Sequence, residues 1–95
     1  MTADGVAERA VEVVNRAGMH ARPAADLVKL AAAFQSDISV AKDGLEVNGK
    51  SIMGVLMLAA ECGSTLVIRA QGDDAADAVS ALCDLVASGF EDLEA

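Results

Sequence analysis

The spacing of apolar and polar residues shifts repeatedly along the chain, and each shift predicts an element. From Glu8 to Val14 the two classes alternate, with Val11 and Val13 on one face and Glu8 and Glu12 on the other. That predicts a strand ending at Asn15. From about Ala21 to Phe34, the residues Ala24, Leu27, Val28, Ala31 and Phe34 recur at helical spacing. Pro23 falls in the first turn of that helix, where a missing N–H costs nothing. Alternation returns over Asp37–Lys42 through Ile38 and Val40, and continues at Leu45 and Val47 after Asp43-Gly44. Asp-Gly between two alternating runs predicts a two-residue hairpin. Asn48-Gly49-Lys50 reads as a second turn. Ser51 is placed to cap a short helix with Ile52, Met53, Val55, Leu56 and Ala59, and Gly63 is its expected stop. Thr65–Ala70 predicts another strand, with Leu66 and Ile68 opposite Val67. Gln71-Gly72 turns into Asp73 or Asp74 as the cap of a last helix. Its Ala75, Ala78, Val79, Leu82 and Val86 share one face before Ser88-Gly89.

The predicted order is β-α-β-β-α-β-α. Each helix has one apolar stripe to bury, so the economical architecture is α+β. It is an open-faced β-sandwich, a four-stranded antiparallel sheet with three helices on one face. A length of 95 residues predicts one domain over 1–95, with an ordered core of about 6–89. Residues 1 to about 6 and 90–95 are expected to be mobile ends. Apolar residues make up 54% of the chain, much of it alanine, and the only aromatics are Phe34 and Phe90. Such small side chains favour close packing over a large cavity. That counts against a small α+β ligand-binding regulatory module, which needs a polar-lined pocket.

The longest nearly apolar run, Ile52 to Ala60, falls well short of the roughly 20 residues that span a bilayer. Met-Thr-Ala-Asp-Gly at the start has neither a basic region nor an apolar core, so no secretory signal is expected. Cys62 and Cys83 lack metal-ligand spacing and read as reduced, small apolar residues of a cytoplasmic protein. No metal or cofactor is expected. A net charge of −8 counts against nucleic acid as a partner. The charge is uneven. No basic residue follows Arg69, whereas Asp73, Asp74, Asp77, Asp84, Glu91, Asp92 and Glu94 do, which reads as a solvated helix face and an acidic tail. Arg16, Arg22 and Lys29 lie on or beside the only histidine. This local positive patch is suited to orienting an acidic partner.

Gly18-Met19-His20-Ala21-Arg22-Pro23-Ala24 sets that histidine immediately before the predicted helix. Free N–H groups at a helix start attract anions, and the helix dipole adds to the attraction. A neutral imidazole is a competent nucleophile toward phosphorus. The guanidinium of Arg22 can meet phosphoryl oxygens through two donors, which lysine cannot copy. The backbone amides of Ala21 and Arg22 are further donors. The combination points to a phosphoryl group carried on His20. Reading His20 as a plain surface or capping residue leaves an arginine, disfavoured by the dipole, without explanation.

The same segment resembles the active-site signature of the HPr family, histidine phosphocarriers of the bacterial phosphoenolpyruvate-dependent sugar phosphotransferase system. Asn48-Gly49-Lys50-Ser51-Ile52-Met53-Gly54-Val55 resembles that family's regulatory serine region. The two stand in the expected order and separation, and the resemblance runs from about Val6 to Ala87. It implies phosphorylation of His20 at Nδ1, Enzyme I as donor and sugar-specific Enzyme II A domains as acceptors. It also implies Ser51 as a target of HPr kinase/phosphorylase, in a monomeric cytoplasmic protein. Arg16, Lys29, Ile52, Met53 and Met57 are the expected docking residues. Ser51 also reads as a simple N-cap worth about 1 kcal/mol. There are two departures from the family pattern. Gly54 and Ala32 stand where lysines are frequent, and the acidic tail from Glu91 to Ala95 is longer than a minimal member needs. Within this fold, the alternative to sugar transport is a nitrogen-related or purely regulatory phosphocarrier.

Overall fold

The structure, a computed structural model, describes residues 5–91. In chain order the elements are β1 (Val6–Glu12), α1 (Ala21–Ala32), β2 (Asp37–Lys42), β3 (Leu45–Asn48), α2 (Ile52–Met57), β4 (Thr65–Gln71) and α3 (Ala75–Ala87). A short 3-10 turn, Gly89–Glu91, follows. The four strands form one antiparallel sheet in the order β1-β4-β2-β3, with helices on one face. This is the architecture expected from the hydrophobic pattern.

Alternation along the strands explains the layering. Ala7, Ile38, Val40, Leu66, Ile68 and Ala70 all point to the helix side and are buried. They meet Ala24, Leu27 and Ala31 from α1, Val55 from α2, and Ala78, Val79, Leu82 and Val86 from α3. Leu27, Leu66, Ile68 and Leu82 are fully buried, and each contributes about 2 kcal/mol of apolar burial. The opposite sheet face is polar. It carries an Arg69–Glu8 ion pair at 3.7 Å and a Ser39 Oγ to Glu46 hydrogen bond of 2.9 Å. The β2–β3 hairpin turns through Asp43 at φ 51° and Gly44 at φ 87°, the left-handed pair that such a turn requires.

Several boundaries depart from the sequence reading. β1 starts at Val6 because Val6 pairs with Gln71 of β4. Val13 lies past its end yet is fully buried, and exchanges backbone bonds with Ser64 and Gly63 at 2.8 and 2.7 Å. α1 ends at Ala32, and Ala33 and Phe34 close it with tightened bonds to Leu30 and Ala31. α2 stops at Met57 rather than running through Ala59 to Gly63. Ala59 takes a left-handed φ of 50°, a costly conformation for alanine. Two contacts offset that cost. Lys42 Nζ donates to the Leu58 carbonyl at 3.0 Å, and the buried Ala60 accepts from Met19 N at 2.8 Å.

Cys83 is buried, and desolvation pushes its thiol up from the ordinary value. Cys62 is exposed, so it does not pack as the small apolar residue expected. Phe90 departs from the mobile end expected over 90–95: it is buried with a left-handed φ of 59°, joining the core beyond α3. Residues 1–4 and 92–95, which include most of the expected acidic tail, lie outside the described residues.

Candidate functional site

Residues 14–20 connect the buried Val13 to α1. Asn15 is buried, and its main-chain carbonyl accepts from Gly18 N at 3.1 Å. Its side-chain Nδ2 donates to the Gly18 carbonyl at 2.7 Å. Gly18 adopts φ 75°, and a Cβ there would stand 2.6 Å from the Ala60 carbonyl oxygen. Only glycine fits this approach. Met19 is buried and tied to Ala60. The next residue, His20, therefore emerges from a loop fixed on both sides.

His20 is the N-cap of α1, in extended conformation at φ −82° and ψ −170°. It is exposed, and its side chain makes no capping hydrogen bond to the helix. The first intrahelical bond runs from Ala24 N to the His20 carbonyl at 3.0 Å. Ala21 and Arg22 occupy the first two helical positions, whose amides have no acceptor within a helix. Pro23 follows and is buried, so the first turn has one donor fewer to satisfy and a stiff backbone. The first turn of α1 contains no acidic residue to offset its positive end. Arg16 and Arg22 are exposed, and neither forms an ion pair with another described residue. The geometry suits an anion held beside an imidazole.

Ser51 is the N-cap of α2, as expected, and its Oγ accepts from Gly54 N at 3.1 Å. Asn48 Oδ1 accepts from Lys50 N at 2.8 Å and shapes the turn before it. Gly54 lies where a Cβ would sit 3.2 Å from Val47 Cβ and 3.4 Å from Ser51 Oγ. That tight space gives a physical reason for glycine at this departure from the family pattern. On α2, Ile52, Met53 and Met57 are 39%, 68% and 67% exposed, forming the expected apolar surface. Lys29 belongs elsewhere. It lines a groove between α1 and α3 with Asp26, Leu30, Ala33 and Leu85. Of the expected docking residues, Lys29 thus lies at the groove between α1 and α3, whereas Ile52, Met53 and Met57 lie on α2.

Sequence reasoning did not single out Asn15 as part of the site, nor the role of Asp74. Asp74 is the N-cap of α3, but its side chain does not cap that helix. Its carboxylate instead accepts from Gln35 N and Ser36 N, both at 2.9 Å, and from Ser36 Oγ. The Ser36 hydroxyl, and then the Gln35 amide, hold its carboxyl below the ordinary value of 3.8. Lys50 Nζ likewise reaches the Phe34 carbonyl at 2.8 Å, past the end of α1. These are long-range contacts with no local sequence signal. No group of His, Cys, Asp and Glu side chains among the described residues is arranged to hold a metal ion.

Residues 7–88 match the family described as "PTS HPr component phosphorylation site". The phosphocarrier protein HPr of Treponema pallidum is 48% identical over 84 residues, covering 88% of this chain and 96% of the relative. An HPr-like protein Crh from Halalkalibacterium halodurans is 47% identical over 75 residues, covering 79% of this chain and 89% of that protein. A crystal structure of HPr-C-His from Thermoanaerobacter tengcongensis superposes with a TM-score of 0.87 at 44% identity, covering 90% of this chain and 97% of the other. Likeness of this extent, in sequence and in fold alike, shows that the chain belongs to the HPr family, the phosphocarriers of the phosphotransferase system.

Proposed function

We propose that this chain accepts a phosphoryl group on Nδ1 of His20 from phospho-Enzyme I and passes it to sugar-specific Enzyme II A domains. The observation that carries the reading is the placement of His20, exposed at the start of α1 with its side chain outside the helix cap. In the accepting step the imidazole lone pair forms the new N–P bond. The bond between phosphorus and Enzyme I breaks, and its electron pair leaves with Enzyme I. Ala21 and Arg22 amides, with the Arg22 guanidinium, offset the phosphoryl charge while leaving phosphorus open to in-line attack. The next acceptor takes the group by the same exchange in reverse. Each encounter is short, uses a small interface and involves one copy of the chain. Arg16, Ile52, Met53 and Met57 form the docking surface, and Lys29 contributes from the groove between α1 and α3.

Ser51 is the regulatory position. A phosphate added there by an HPr kinase/phosphorylase sits at a helix start, which tolerates negative charge. It acts on docking beside the exposed apolar surface. A cytoplasmic location fits this relay, and no described helix is long and apolar enough to cross a membrane. The similarity to Crh supports a second reading, a regulatory phosphocarrier without sugar transport. Incubation with Enzyme I and phosphoenolpyruvate, followed by addition of purified Enzyme II A domains, separates the two. Sugar transport requires the label to enter the chain and then leave it. Label that enters and stays with every Enzyme II A domain supports the regulatory reading, and no label at all contradicts both.

A further inference from the structure

We propose that Asn15 is a positioning residue for the chemistry at His20, a role that rests on the phosphocarrier reading above. One carbonyl links the two residues. Gly18 O accepts from Asn15 Nδ2 at 2.7 Å and from His20 N at 3.0 Å. The backbone amide of the reacting residue and the side chain of Asn15 therefore hold the same oxygen. The orientation of the Asn15 amide follows from this, because turning it over would set two acceptor oxygens against each other.

Asn15 is only 4% exposed, and its Oδ1 is buried with no hydrogen-bond partner. A buried acceptor left unsatisfied costs stability. A leucine of similar size would carry no such cost. The distinct contribution of the amide at this position is its hold on the Gly18 carbonyl. The opposite side of the loop is already fixed, because Met19 N donates to the Ala60 carbonyl at 2.8 Å and Gly18 has no room to shift against it. Asn15 completes the restraint from below. Together they set the backbone of His20, and so the direction in which its imidazole leaves the chain relative to the amides of Ala21 and Arg22. Transfer depends steeply on such orientation. Because Asn15 is buried, it touches neither the phosphoryl group nor a docked protein.

The test is steady-state phosphorylation of the chain by Enzyme I and phosphoenolpyruvate, comparing the parent with Asn15→Leu and Asn15→Asp. Asn15→Leu is expected to fold, with a Tm at or above the parent's, and to lower kcat about tenfold with KM unchanged. A folded Asn15→Leu chain with the parent's kcat, or one that changes only KM, overturns the proposal. Asn15→Asp supplies the second readout, and decides alone if the leucine variant does not fold. A carboxylate repels the Gly18 carbonyl, whereas a protonated carboxyl can donate to it as the amide does. The rate of this variant relative to the parent is expected to rise as pH falls from neutral to mildly acidic. A ratio that stays flat across that range overturns the role of Asn15. A parent chain that takes up no phosphoryl group would instead overturn the phosphocarrier reading itself.

Discussion

His20 and Ser51 hold the same position on two packed helices and use it in opposite ways. Each is an extended N-cap, and neither helix has an acidic residue in its first turn. Ser51 turns its hydroxyl inward and accepts from Gly54 N, so the start of α2 is closed by its own cap. His20 makes no such bond to α1, and its neighbours are Arg22 and a proline rather than a self-capping hydroxyl. The start of α1 is thus not closed by the side chain of its own N-cap. Asp74, the N-cap of α3, shows a third use. Its carboxylate leaves its own helix uncapped and clamps the loop before β2. On the proposed function, the same backbone position thus serves chemistry at His20, helix stability at Ser51 and tertiary restraint at Asp74.

The comparison breaks most visibly at His20. His20→Ala is expected to abolish phosphoryl acceptance from Enzyme I while the chain still folds, because the side chain is exposed. Labelling with phosphoenolpyruvate alongside thermal unfolding checks both halves. Arg22→Lys keeps the charge but loses the planar pair of donors. It is expected to slow transfer on the order of tenfold with the fold intact, measured by rapid quench.

The Asp74 clamp gives a smaller effect on stability instead of rate. Its carboxyl titrates below the ordinary 3.8 in the folded chain, so the unfolded chain binds protons first as pH falls. The clamp's contribution is therefore fully present above that ordinary value and is lost as pH drops through the lower, folded-state value. Ser36→Ala removes the hydroxyl donor. It is expected to lower stability modestly at neutral pH and to flatten the acid limb of a stability–pH curve from urea unfolding.

A modest effect on stability is also expected at Ser51. Ser51→Ala loses a cap worth about 1 kcal/mol, whereas Ser51→Asp retains a capping oxygen and loses less. Ser51→Asp is nevertheless expected to weaken binding to Enzyme I in a calorimetric titration. A large fall in Tm with unchanged binding would assign Ser51 to the cap alone.

Much of this arrangement was legible in the chain. Alternation in Asp37–Lys42 and Thr65–Ala70 placed Ile38, Val40, Leu66 and Ile68 in the core, where they are buried. Helical spacing identified the inner faces of α1 and α3. Ser51 was readable as a cap because its hydroxyl acts three residues away, on Gly54 N. What the sequence hid was set by distant partners. The left-handed stop at Ala59 depends on Lys42 and on the Ala60–Met19 bond. Asp74 reads as a local cap but answers to Ser36, 38 residues earlier in the loop before β2. Phe90 follows a glycine and precedes acidic residues, the composition of a loose end, yet it enters the core. Lys29 shares a helix face with Arg22 by spacing, but the packing of α3 places it in a separate groove.

The central claim is that the open start of α1 carries a transferable phosphoryl group on its N-cap. The most direct measurement is mass-spectrometric localisation of the label after reaction with Enzyme I and phosphoenolpyruvate, with acid and base stability tested in parallel. The account predicts a single modified residue, His20, with a bond that is labile in acid and stable in base. Label found on Ser51 or any other residue, or an acid-stable bond, would contradict it.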